Sequence, residues 1–361
     1  MRALGSPAQM ESVLRAALEA GINHLETAPA YGPAERFLGQ ALRQLASEDL
    51  APDGGWLITS KLLPGCDLAS GQEQLREILE RLGLSQLSHL AVHGLNRPEH
   101  LHWALHGPGA ELLAWAQDSG LAAAVGFTSH GSNAVIEQAL ESGRFSFCGL
   151  HVHLLDRTRL ALARAALGDG IGVLAISPAD KGGRLYDPPA QLMAHCAPFH
   201  PLELAYRFLL EQGVSTLSLG AEQPADLAWA ANLSEPSRPA TSALSAEVAA
   251  AVARLDAAQA ERLGSEHCGQ CRACLPCPNA VPIPELLRLR NLALGHGMHA
   301  FAQERYNLIG RAGHWWEEYN ADACQRCGEC LPRCPNQLPI PDLLADTHRR
   351  LAAAPRRRLW G

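Results

Sequence analysis

Eight of the chain's eleven cysteines fall into two short runs. Residues 268–278 read CGQCRACLPCP and residues 324–335 read CQRCGECLPRCP. Each run sets four thiols at two-residue gaps, with only the last gap of the second widened to three, and each closes on Cys-Pro. Three thiolates at that spacing can hold three corners of a [4Fe–4S] cube, leaving the fourth corner to a more distant cysteine. A pair of four-cysteine zinc sites is the alternative, since such sites also use CxxC pairs. Zinc knuckles seldom use an unbroken CxxCxxC that ends in Cys-Pro. A disulfide framework belongs to short secreted chains rather than to one of 361 residues. The spacing therefore points to electron transfer in the C-terminal third.

The two runs are similar to those of two-cluster ferredoxins, where the fourth cysteine of each run reaches across to the other cluster. That resemblance implies Cys268, Cys271, Cys274 and Cys334 around one cube and Cys324, Cys327, Cys330 and Cys277 around the other. The 46 residues between the runs exceed the spacers of compact β-type ferredoxins, and they carry helical patterns over 285–294 and 299–308. An α-helical ferredoxin-like module is expected. Trp315 and Trp316 lie between the runs and read as core of that module. Cys66, Cys148 and Cys196 stand alone and read as inert packing thiols.

Composition bounds what surrounds these sites. With 361 residues, 47% of them hydrophobic, the chain can bury one large core and a small second one. A net charge of −7 argues against nucleic acid as a partner. No apolar run approaches the ~18 residues of a membrane helix, and cluster assembly needs reduced thiols, so a cytoplasmic protein is expected.

The elements ahead of the cysteines alternate. Strands are predicted over 22–26, 56–60, 87–92, 123–127, 145–150, 172–176 and 215–219, with amphipathic helical segments such as 12–20, 73–82 and 202–212 between them. Alternating βα units imply parallel strands joined by right-handed crossovers. Seven strands are one short of a (β/α)8 barrel, and residues 1–9 leave no room for another ahead of the first helix. An open barrel would expose strand edges, so a start upstream of Met1 is the expectation.

The predicted strand ends carry HLETAPAYG (24–32), ITSK (58–61), LAVHGLN (90–96), VGFTSHG (125–131), ISPADKGGRLY (176–186) and LSLGAEQPADL (217–227). In order and spacing these resemble the strand-end motifs of the aldo/keto reductase family over about residues 12–232. With the cysteines, the chain resembles the branch of that family with a C-terminal 4Fe-4S domain. The resemblance implies a TIM barrel whose site lies at the C-terminal ends of the strands, just where Tyr31, Lys61 and His93 fall. A phenol gives up its proton reluctantly at neutral pH, and an adjacent ammonium stabilises the phenolate. Tyr31 is thus the candidate general acid toward a carbonyl oxygen, Lys61 the group that tunes it, and His93 a hydrogen-bonding partner of the same oxygen. The family's aspartate beside the lysine is Glu26 here, with the same charge on a longer arm.

The resemblance also implies an NAD(P) site, with departures. The family's Ser-Asn pair for the nicotinamide carboxamide reads Thr128-Ser129, its glutamine reads Gly149, and its stacking aromatic reads Ile176. Losing that ring face removes a contact of order ~1 kcal/mol. The segment from Ser177 to Gly183 can run past a pyrophosphate, and Gly220-Ala221 opens the adenosine-phosphate segment. Glu222 stands where many members place an arginine for the 2′-phosphate, and a carboxylate repels that group.

A Ser/Pro-rich stretch over 234–245 reads as a linker and 246–263 as an alanine-rich helix. The expected domains are a barrel over 1–233, a linker and connecting helix over 234–264, and the ferredoxin-like module over 265–361. The tail APRRRLWG is a solvated end or, alternatively, a dock for an acidic redox protein on Arg356–Arg358. The sequence thus describes an oxidoreductase acting on a small-molecule carbonyl/alcohol pair, with two clusters for electron transfer. The alternative is an iron–sulfur electron-transfer or scaffold protein whose barrel has lost catalysis.

Overall fold

The computed structural model describes residues 5–179, 184–233, 245–311 and 318–354. Gly183, Trp315, Trp316, the basic tail and residues 234–244 of the expected linker lie outside the described residues. The chain divides into two compact units, and neither is one continuous stretch: residues 1–183 with 205–244, and residues 184–204 with 245–361.

The first unit is a nearly closed barrel of seven parallel strands in sequential order: β1 (His24–Glu26), β2 (Leu57–Leu62), β3 (Leu87–Val92), β4 (Ala122–Ser129), β5 (Phe147–His151), β6 (Gly172–Ile176) and β7 (Thr216–Leu217). Each seam is parallel, so successive strands need a crossover, and helices supply it. The helices start where the sequence offers caps: Ser6, Asp67 and Ser132 accept from backbone N–H groups at Pro7–Glu19, Leu68–Leu82 and Asn133–Glu141. Leu25, Ile58, Leu90, Val125, Leu150 and Val173 are buried on the strand face that packs against the helices, which is why parallel strands read as apolar runs. At β4 a side chain has no room: a Cβ on Gly126 would stand 2.3 Å from the Phe147 carbonyl. Across the open seam His24 on β1 stands 3.3 Å from Thr216 Oγ1 on β7, and its other ring nitrogen stands 2.8 Å from Thr59 Oγ1.

The second unit is helical. Ala246–Leu263, Ile283–His296, His299–Tyr306 and Ile340–Leu351 enclose a core of Val281, Ile283, Leu286, Leu287, Ile340, Leu343 and Leu344. Cys274 and Cys330 belong to that core, and Cys268, Cys277, Cys324 and Cys334 pack against it.

Candidate functional site

The ends of three barrel strands converge on one ammonium group. Lys61, on β2, is 1% exposed, and burying an unpaired charge is strongly unfavourable. Three oxygens surround its Nζ: Glu26 Oε1 at 2.6 Å, the Thr27 carbonyl at 2.9 Å and Tyr31 Oη at 3.1 Å. The extra methylene of Glu26 therefore leaves the carboxylate in contact with the lysine. Tyr31 is carried by a short 3-10 turn, Pro29–Tyr31, that follows β1 and is closed by Gly32 at φ 63°. The turn brings the phenol back over β2, so that Lys61 Nζ also lies 4.5 Å from its ring centroid. His93 directly follows β3, is tied to β2 through its N–H to the Leu62 carbonyl, and meets the Tyr31 ring edge-on at 5.7 Å. Burial first, and then the Lys61 charge, push its pKa down to about 4, so the imidazole is neutral at physiological pH. Glu26, Tyr31, Lys61 and His93 thus come together as a half-buried phenol, a paired buried ammonium and a neutral imidazole.

The nucleotide candidates divide. Thr128 and Ser129 end β4 with both hydroxyls turned to backbone. Ser129 Oγ donates to the Leu95 carbonyl at 2.7 Å and accepts from Gly131 N, while Thr128 Oγ1 accepts from Gly94 N at 3.0 Å. A carboxamide would compete with these bonds. Gly149 lies opposite Thr128 across the β4–β5 seam, and a Cβ there would stand 2.8 Å from the Thr128 methyl, which explains the small residue. Ser177 takes φ 59° just past β6, a conformation rare for a residue with a side chain, and its N–H donates to Ser218 Oγ. Gly220 is exposed and Ala221 partly so. Beyond them Asp226 accepts from the N–H groups of Glu222 and Gln223, which hold its carboxyl below the usual range. The Asp226 carboxylate therefore faces this segment, which itself carries the exposed Glu222.

In the second unit the two cysteine runs are copies of one conformation. Gln270 and Arg326, each two residues past the first cysteine of its run, have φ 59° and 55°. Arg272 and Gly328, four residues past it, have φ 64° and 79°, and Ala280 and Gln337, three past the final cysteine, have φ 52° and 51°. Behind each run the same words recur, CPNAVPIPELL over 277–287 and CPNQLPIPDLL over 334–344, and each leads into a helix. That repeat is legible in the sequence, and the reading from cysteine spacing alone passes over it. Each copy ties its helix to its own loop, through Arg272 with Glu285 and Arg326 with Asp342.

The thiols group across the runs. Burial pushes Cys268 up to about 11, and the nearby Cys271 and Cys334 add to the rise. Burial raises Cys330 as well, helped by Cys324, Cys327 and Cys277. Those last four line one small pocket together with Ile283 and Leu344. All eleven cysteines are free of disulfides. Among the described residues no three cysteine sulfurs lie within 4.8 Å of one another. Four sulfurs on one zinc ion, at ~2.3 Å each, would stand roughly 3.8 Å apart. The donor set fits a larger group ringed by sulfurs better than a single ion. Gln270 Nε2 adds a donor 3.4 Å from Cys268 Sγ.

Comparison with known proteins agrees with the barrel. The model of the aldo/keto reductase family matches residues 5–234. An aldo-keto reductase of Mycolicibacterium vanbaalenii is 28% identical over 223 residues, 59% of this chain and 74% of its own. Among solved structures, the holo form of the aldo-keto reductase AKR11C1 from Bacillus halodurans superposes with a TM-score of 0.56 at 19% identity, over 70% of this chain and 89% of that one. An aldo-keto reductase from Klebsiella pneumoniae in complex with NADPH gives 0.54 at 21%, over 69% and 85%. This chain belongs to the aldo/keto reductase family, a family of NAD(P)-dependent oxidoreductases that act on small-molecule carbonyl compounds. Among the described residues no helix is long and apolar enough to cross a membrane.

Proposed function

We propose that Tyr31, Lys61, Glu26 and His93 are the catalytic group of a carbonyl/alcohol oxidoreductase, and that the second unit holds two [4Fe–4S] clusters. The observation that carries the first half is the placement of the Lys61 ammonium, 1% exposed and 3.1 Å from Tyr31 Oη. In the reductive direction Tyr31 gives its proton to the carbonyl oxygen, and the phenolate left behind faces that ammonium. Glu26 pairs with Lys61 and fixes it in place. The neutral His93 donates one N–H toward the same oxygen and orients the substrate. A nicotinamide, when bound, supplies the two-electron transfer of the family's reaction.

Thr128, Ser129, Ser177, Gly183, Gly220 and Ala221 are the proposed nucleotide contacts. The carboxylates of Glu222 and Asp226 at the adenosine end disfavour a 2′-phosphate, so NADH is the preferred reductant. At the clusters, Cys268, Cys271, Cys274 and Cys334 would hold one cube and Cys324, Cys327, Cys330 and Cys277 the other. The grouping of Cys268 with Cys334 and the cavity shared by Cys277 with the second run support that crossing. Such clusters supply single-electron exchange, for which a redox protein in the cytoplasm is the proposed partner. A second reading, a barrel that only scaffolds the iron–sulfur unit, is favoured by the engaged hydroxyls of Thr128 and Ser129.

An anaerobic absorbance spectrum with iron and sulfide counts, followed by titration with NADH and NADPH, tests both halves. A broad band near ~400 nm that bleaches with NADH at lower concentration than with NADPH supports the reading. A band that bleaches only with dithionite favours the scaffold, and a colourless zinc protein overturns the cluster assignment.

A further inference from the structure

Outside these sites, one cluster of metal-ligating side chains lies on the barrel among the described residues. His151 ends β5, His153 follows two residues on and Asp156 five residues on. One ligand atom from each lies within 4.8 Å of the other two. The imidazoles are 2% and 0% exposed and meet edge to face at 4.9 Å. The segment between them is held in shape. His153 and Asp156 exchange both backbone hydrogen bonds at 3.1 Å, and Asp156 Oδ1 accepts from Thr158 Oγ1 at 2.7 Å. The buried guanidinium of Arg159 donates to the Gly131 carbonyl at 2.7 Å and the His151 carbonyl at 3.4 Å, which fastens the end of β5 to the loop after β4.

We propose that His151, His153 and Asp156 bind a divalent first-row transition-metal ion, with the remaining coordination positions open to water or to a substrate oxygen. Imidazole suits zinc, iron, copper and nickel, and a carboxylate completes a facial set. An ion about 2.0–2.2 Å from each donor spaces the donors roughly 3–4 Å apart, inside the observed limit. Three protein ligands with an open position mark reactive sites, whereas structural zinc sites are closed by four. The end of a barrel strand is also the face on which TIM-barrel sites sit. Leu155 N donates to His153 Nδ1 at 3.2 Å. Ligation through Nδ1 replaces that bond, and ligation through Nε2 moves the ring proton to Nδ1. None of these donors belongs to the Tyr31 group or to the cysteine runs, so this inference and the proposed function fail separately.

The test uses the full chain, purified anaerobically with its own metal content and dialysed against zinc. Zinc is counted per chain, and its surroundings are read by X-ray absorption at the zinc edge. The expected result is one zinc with a nitrogen/oxygen shell at ~2.0–2.1 Å and the scattering of two imidazoles. His151→Gln and His153→Gln should each lower retention at least tenfold with iron content unchanged. The exposed pair His102 and His106, one helical turn apart, is the competing surface site, and His106→Gln should leave retention as it was. A sulfur shell at ~2.3 Å, no retained zinc, or loss of zinc in His106→Gln would each overturn the proposal. If neither the His151 nor the His153 variant folds, the imidazole count in the His106→Gln protein decides the matter.

Discussion

The Lys61 site and the cysteine sites reach their geometry by opposite routes. Around Lys61 and Tyr31 each contact is made once: the end of β1 contributes Glu26 and, one residue on, the Thr27 carbonyl, the turn behind it Tyr31, and the residue after β3 is His93. No residue there backs up another, and the order of the parallel strands sets every distance. In the second unit a single design is used twice, with left-handed residues at matching positions and the same Pro-Ile-Pro entry into a helix behind each run. The barrel site therefore depends on long-range assembly. The cysteine sites depend on local loop conformation, and the copies meet where Cys277 lines a pocket with the second run and Arg333 donates to the Pro276 carbonyl. Damage to the first should be chemical and abrupt, and damage at a crossing cysteine of the second should fall on the other copy's proposed cluster.

Substitution at the reacting phenol should have the largest effect. Tyr31→Phe removes the proposed acid while keeping the ring beside Lys61, and carbonyl turnover should fall by ~10²–10⁴ with iron and sulfide counts unchanged. Turnover that persists would place the acid elsewhere. Cys277→Ala tests the crossing: about half of the iron should be lost, with the spectroscopic signal of the second-run cluster gone and the first kept. Loss confined to the first-run cluster would show that each run serves itself. Lys61→Met leaves the Glu26 carboxylate without its cation, and denaturant unfolding should show a loss of about 3 kcal/mol. An unchanged midpoint would mean that the ion pair adds little to the barrel.

The last expected effect concerns pH and belongs to the barrel alone. His24 and His93 each fall from an ordinary 6.5 to about 4, chiefly through burial. The unfolded chain takes up these protons first, so their contribution is intact above pH ~6.5 and is lost as pH drops toward ~4. Urea unfolding at pH 7.5 and 5 should show the barrel weakening at the lower pH, and less so in His24→Gln. For the same reason His93 should not add an inflection to turnover between pH 5 and 8.

Much of the barrel was readable because buried parallel strands are written as apolar runs, and β3 and β6 fall where periodicity places them. Glu26, Tyr31, Lys61 and His93 were readable as strand-end residues in family order. Burial of Lys61 could not be read, since a lysine that closes a strand more often reaches solvent. The engagement of Ser129 with Leu95 and Gly131 was equally hidden, because it depends on how the loops after β3 and β4 lie together. Residues 184–204 and the helix Ala246–Leu263 fall within the second compact unit, a grouping set by packing between segments distant in sequence. Arg272 and Gln270 look like ordinary polar loop residues, yet both hold a backbone conformation normally left to glycine.

The seclusion of Lys61 also bears on how the site is reset. An ammonium with 1% of its surface exposed has no direct exchange with bulk water, whereas Tyr31 and Glu26 both keep part of theirs. If Tyr31 is the acid, the proton it gives up is replaced most directly at the phenol itself, the partly exposed member of the Lys61–Tyr31 pair, so recharging has a defined port of entry.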